Sequence, residues 1–232
     1  MSLCASFWLG FRHLADRKEG KVTLADYYRW LKRDWAKVGF ILSIFLFIFL
    51  FAFVKDTDFA LFLLLLQTPL YMLHEAEEYI FPGGFGRFFN IDIFKLQTKD
   101  KPIDENFVFY VNILVVWIIL PTFGLLAAKD YQYGLWIPYF SFFAGVAHIA
   151  LGIKARKRYN PGLIVSLLLN IPVGAWSILY LVDHGVLPNV FWNPHLAIGL
   201  GVNLVLPVMG GVLYKNHLRT TAAQPNREKL TP

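Results

Sequence analysis

Residues 59–81 read FALFLLLLQTPLYMLHEAEEYIF. The stretch opens as an aliphatic run, and as a helix rising about 1.5 Å per residue it is long enough to cross about 30 Å of hydrocarbon. Its last third carries His74, Glu75, Glu77 and Glu78. Five more apolar segments follow the same pattern outward in both directions: 38–54, 107–127, 133–153, 161–182 and 195–214. The expected fold is all-α, a polytopic membrane bundle of six transmembrane helices. A segment 1–36 precedes the transmembrane domain 37–215, and a polar tail 216–232, expected to be disordered, follows it.

Composition points the same way. The 232 residues are 56% hydrophobic and only 16% charged, against about 25% charged in soluble domains. The single cysteine, Cys4, rules out an intramolecular disulfide and a cysteine-based metal site. The net charge of +6 suggests nucleic acid until its placement is seen. Twenty of the 22 Lys and Arg fall before the first span, in 82–106, in 154–160 or after the last span, which is one side if all six segments cross. Only Lys55 and Lys129 fall on the other side. The positive-inside rule then makes both termini cytoplasmic. The basic loops suit anionic headgroups, so membrane lipids are the expected partners and nucleic acid is not. The chain leaves open a homo-oligomer.

Before the first span, Thr23 and Asp26 form a capping-box pattern. Leu24, Tyr27, Leu31 and Trp35 recur at helical spacing among Arg29, Lys32, Arg33 and Lys37. That pattern predicts an amphipathic helix lying in the interface ahead of the first span. The apolar stretch Leu3–Phe11 precedes the positive charges, the wrong order for a cleavable signal peptide. Pro69, Pro138, Pro172 and Pro207 sit inside spans, where each removes a backbone donor.

Of the sixteen acidic residues, only Glu75, Glu77 and Glu78 fall within the proposed spans. A charge there costs about 2.5–3.5 kcal/mol on insertion scales and faces a cavity or a partner. At 100° per residue, Glu77 lies about 60° to one side of His74 and Glu78 about 40° to the other. Glu75 lies at the edge of that face. Gln67 and Tyr71 extend it by two turns. Asn112, His148 and Asn170, on the third, fourth and fifth spans, lie at a similar depth. Ser141, Gly145, His148 and Gly152 form one stripe of the fourth span, which turns His148 toward its neighbours. Gln67, Tyr71, Asn112, His148 and Asn170 are therefore expected to wall one pocket with His74, Glu77 and Glu78, in the cytoplasmic half of the membrane. Asn203 on the sixth span is a weaker member.

His-x-x-Glu-Glu at the end of an apolar helix, followed by Pro82-Gly-Gly-Phe85, resembles the HXXEE-motif family of bacterial membrane proteins. The resemblance implies an inner-membrane location and makes His74, Glu77 and Glu78 the residues of interest. It implies no mechanism, because that family has no settled activity. His74 and Glu78 also resemble the i, i+4 pair of the sterol-isomerase family. The tryptophan motif of that family has no counterpart around Asn203–Pro207, so this second resemblance suggests a reaction type only.

Two chemistries suit these residues. His74, Glu77 or Glu78, and His148 offer the three protein ligands of a catalytic single divalent metal such as zinc. The same groups offer acid–base catalysis, with His74 as base and Glu77 and Glu78 as the acid/base pair. Either would make a small lipid-modifying enzyme of isomerase or hydrolase type. A proton-coupled transporter or sensor, and a structural membrane protein, are the alternatives.

Overall fold

A computed structural model describes residues 22–223. Among them all regular structure is helical, the arrangement in which an apolar segment satisfies its own backbone groups within lipid. Six helices are long and apolar enough to cross a membrane. They are α1 (Leu24–Val54), α2 (Phe59–Tyr79), α4 (Glu105–Leu126), α5 (Ile137–Ala155), α6 (Leu163–Asp183) and α7 (Pro194–Ala223). A short helix, α3, built from Phe85–Arg87 and Phe88–Ile93, stands between α2 and α4.

Two compact units divide the chain, Met1–Trp35 and Ala36–Pro232. The described part of the first is the opening of α1. Thr23 and Asp26 do cap it: Thr23 N–H donates to Asp26 Oδ2 (3.0 Å) and Asp26 N–H to Thr23 Oγ1 (3.3 Å). Among the described residues, the pattern expected to form an amphipathic helix ahead of the first span does not stand apart from it: these residues are the first turns of α1, which runs without interruption and without proline from Leu24 to Phe49. The stretch 3–11, Cys4 and His13 lie outside the described residues. At the other end α7 continues through Ala223, so the opening of the expected tail is helical; residues 224–232 lie outside the described part.

Within the second unit, α2 is the axis. Two thirds of its apolar window (67%) is buried, against 11% for α7. Met72 packs with Val116 and Leu120 of α4 and Phe140 of α5. On its other flank Leu63 and Leu66 meet Leu169 and Val173 of α6. Close helix approach depends on small residues. A Cβ at Gly145 of α5 would lie 2.6 Å from Ile171 of α6, and one at Gly199 of α7 would lie 2.6 Å from Tyr139 of α5.

Several helices change pitch part-way. Leu120 N–H reaches Val115 O and Ile171 N–H reaches Ser166 O, each five residues back. Pro121 and Pro172 follow immediately. Because proline lacks an N–H, the wide turn ends where the regular bonding would fail in any case. The segment between α2 and α4 is ordered by Asn90. Its amide donates to the carbonyls of Lys99 (2.9 Å) and Ile103 (3.0 Å), and its oxygen accepts from Ile103 N–H (3.0 Å).

Candidate metal centre

His74 and Glu78 are one turn apart on α2, and His148 comes from α5. All three are buried. Glu78 Oε1 lies 3.4 Å from His74 Nε2 and 3.3 Å from His148 Nε2. The two imidazole nitrogens and the carboxylate oxygen lie within 4.8 Å of one another.

The far sides of both rings are occupied. Asn160 Nδ2 donates to the carbonyl of His148 (2.9 Å), which turns Asn160 Oδ1 toward His148 Nδ1 at 2.8 Å. An oxygen there requires Nδ1 to carry the hydrogen, so in the neutral ring Nε2 presents its lone pair to Glu78. His74 Nδ1 faces Ser166 Oγ at 3.4 Å, while its buried Nε2 has no hydrogen-bond partner. Two imidazole nitrogens and a carboxylate oxygen thus converge, and a proton on either ring or a metal ion between them would supply the balancing positive charge. Gly162 closes the cradle with φ +97°, a conformation that side chains rarely adopt. A Cβ there would lie 2.5 Å from His148 Cε1 and 2.8 Å from His74 Cε1.

Glu77 is engaged elsewhere. Its Oε1 accepts from Tyr159 O–H (3.1 Å) and Ile164 N–H (3.0 Å), and its Oε2 from Val165 N–H (2.7 Å). Ile164 and Val165 open α6, whose N-cap residue is Gly162 and has no side chain to accept those donors. A carboxylate from α2 does so instead, at the positive end of the helix dipole. Burial, and then the nearby Glu77 charge, raise the Tyr159 phenol above its usual range and keep it a donor. Glu75 is buried with no hydrogen bond to either oxygen.

A cavity of about 280 Å³ adjoins the group. Tyr71, Glu78, Asn112, His148, Lys154 and Asn203 supply its polar wall, and the remainder is aliphatic or phenylalanine, including Phe85 and Phe89 of α3. Exposed Ala147, Ala150 and Val205 stand at its edge. Asn112 donates to Tyr79 O–H (3.2 Å) and Tyr71 packs on His74 (ring centroids 5.0 Å apart). Gln67 and Asn170 do not reach this wall. Gln67 donates to Ser177 Oγ (3.1 Å) and Asn170 to Ser141 Oγ (3.2 Å), each tying α2 or α5 to α6. Tyr159, Asn160 and Gly162 lie in and just after the basic stretch 154–160, and helical periodicity does not point to them. The breaker run Asn-Pro-Gly at 160–162 is the signal that marks a tight turn at the depth of His148.

Residues 65–177 match the model of a family described as proteins of unknown function with an HXXEE motif. No curated protein and no solved structure matches the chain.

Proposed function

We propose that this chain, whose residues 65–177 match the HXXEE-motif family model, is an intramembrane enzyme whose His74, Glu78 and His148 hold one divalent metal. Zinc is the ion that two imidazoles and a carboxylate suit best. One observation carries the reading. Both Nε2···Oε1 separations, 3.3 and 3.4 Å, are longer than charge-assisted hydrogen bonds of about 2.7–2.9 Å. They equal the edge of a tetrahedron with metal–ligand bonds of about 2.0–2.1 Å, roughly 3.3–3.4 Å. Asn160 and Ser166 hold the ring nitrogens that face away, the usual support of metal-bound histidines.

A metal there supplies a Lewis acid and an activated water. The chain supplies the rest. Glu78 and His148 face a largely apolar cavity close in size to small-molecule sites of about 300 Å³ and above. Its edge residues stand on the apolar exterior of the bundle, which suits a lipid or similar amphiphile arriving sideways. Asn112, Tyr71 and Asn203 are the polar contacts for the reacting end. Glu77 is a positioning residue that fixes α6, and with it Gly162 and Ser166, against the two rings. The Lys and Arg distribution supports a reading with both termini in the cytoplasm and the site in the cytoplasmic half of an inner membrane.

The test is chemical. Purified protein loaded with zinc is placed in liposomes of total membrane lipid, and the lipids are compared by mass spectrometry. A lipid class should be converted by the wild type and left intact by Glu78→Gln. Unchanged lipid profiles with fully loaded wild-type protein would overturn the enzyme reading.

A further inference from the structure

His148 belongs to two walls. One is that of the cavity beside Glu78. The other is that of a groove of about 430 Å³ between the end of α5 and the start of α6. We infer that this groove is a docking site for an anionic phospholipid, with the phosphate on the turn Arg156-Lys157-Arg158 and an acyl chain along Ile149, Ile153 and Leu167. The inference goes beyond the metal reading and does not depend on it: of the three proposed ligands only His148 lines the groove, and the phosphate is assigned to Arg156, Lys157 and Arg158 instead.

The groove is divided by chemistry as such a ligand is. One end is formed by three consecutive cations and contains no acid; the rest is mainly aliphatic. Among the described residues, Lys157 alone of the three has an acidic neighbour, Asp92 at 3.3 Å. Among the described residues, no acid pairs with Arg156 or Arg158. Guanidinium groups bind phosphate in a forked geometry that an ammonium does not match. The basic turn is held in place by its backbone. Arg156 adopts φ +56°, and Lys157 N–H closes onto Gly152 O at 3.0 Å. Ile153 is 74% exposed and Leu167 49%. That aliphatic surface lies on helices that face acyl chains, which favours a lipid over free phosphate.

The test is native mass spectrometry of the full chain released from detergent micelles. Dioleoyl phosphatidylglycerol, dioleoyl phosphatidylcholine and inorganic phosphate are the separate probes. Wild-type protein should retain phosphatidylglycerol in preference to the other two. In Arg156→Gln/Arg158→Gln its affinity should fall about thirtyfold, the effect of two cations lost beside an anionic headgroup. Arg156→Lys/Arg158→Lys should recover only part of it, because the charge returns without the fork. Equal retention of phosphatidylcholine, inorganic phosphate binding as tightly as phosphatidylglycerol, or an unchanged double glutamine variant would overturn the inference. Repeating the series on Glu78→Gln separates binding from turnover, and zinc content read from the same samples reports on the metal reading alone.

Discussion

Glu77 and Glu78 are adjacent in sequence and both buried, yet they serve different parts of the molecule. Glu78 faces two imidazole nitrogens and makes no bond to the backbone; Glu77 accepts two backbone N–H groups and a phenol. The first environment sets a carboxylate oxygen against two imidazole nitrogens at 3.3 and 3.4 Å, longer than strong hydrogen bonds. The second is satisfied on every side. A carboxylate with complete hydrogen bonding supports the fold, and one set between two imidazole nitrogens is placed to share a proton or a metal ion with them. On the proposed reading the same motif holds a structural acid next to a chemical one, and substitutions should separate them.

Glu78→Gln should have the largest effect. Losing a ligand oxygen should weaken metal binding by at least about a hundredfold, beyond the range seen for residues that only orient ligands, while circular dichroism and the unfolding midpoint stay near wild type. Equal zinc retention would erase the contrast. Gly162→Ala comes next, because its Cβ would displace both rings. Metal affinity measured by competition with a chelator should fall about 10- to 100-fold, together with about 1–3 kcal/mol of stability from overpacking.

Glu77→Gln should do the reverse of Glu78→Gln. The amide turns a donor toward N–H groups that need an acceptor, at a cost of about 1–3 kcal/mol in thermal unfolding. Zinc should still bind near one per chain. A Glu77 variant that keeps its melting point but loses metal would move Glu77 into the centre and dissolve the distinction. Tyr159→Phe removes one of the three bonds to Glu77, a half-exposed one, and should cost about 0.5–1 kcal/mol with no change in metal content.

Much of this was legible in the residues. Apolar runs and clustered cations mark six spans, and Gly145 and Gly152 beside His148 turn its face inward. The direction of Glu77 was not legible. A helical wheel places Glu77 and Glu78 almost symmetrically about His74, and nothing local to α2 says which one meets His148. The choice is made by α6, whose Gly162 N-cap leaves bare N–H groups within reach of Glu77. Gln67 and Asn170 show the complementary limit. They lie at a suitable depth, but Ser177 and Ser141 capture them across helix contacts that periodicity does not reveal. The run of apolar and aromatic periodicity from Leu24 into the first span likewise conceals that both stretches are one helix.

The most direct measurement is zinc X-ray absorption on the purified wild-type protein and on His148→Ala. The expected wild-type spectrum shows one zinc per chain, about four light-atom ligands at roughly 2.0–2.2 Å with two imidazoles among them, and His148→Ala loses the second imidazole or the ion itself. Wild-type protein that takes up no metal when supplied with it, or a spectrum unchanged by His148→Ala, would contradict a centre built from His74, Glu78 and His148.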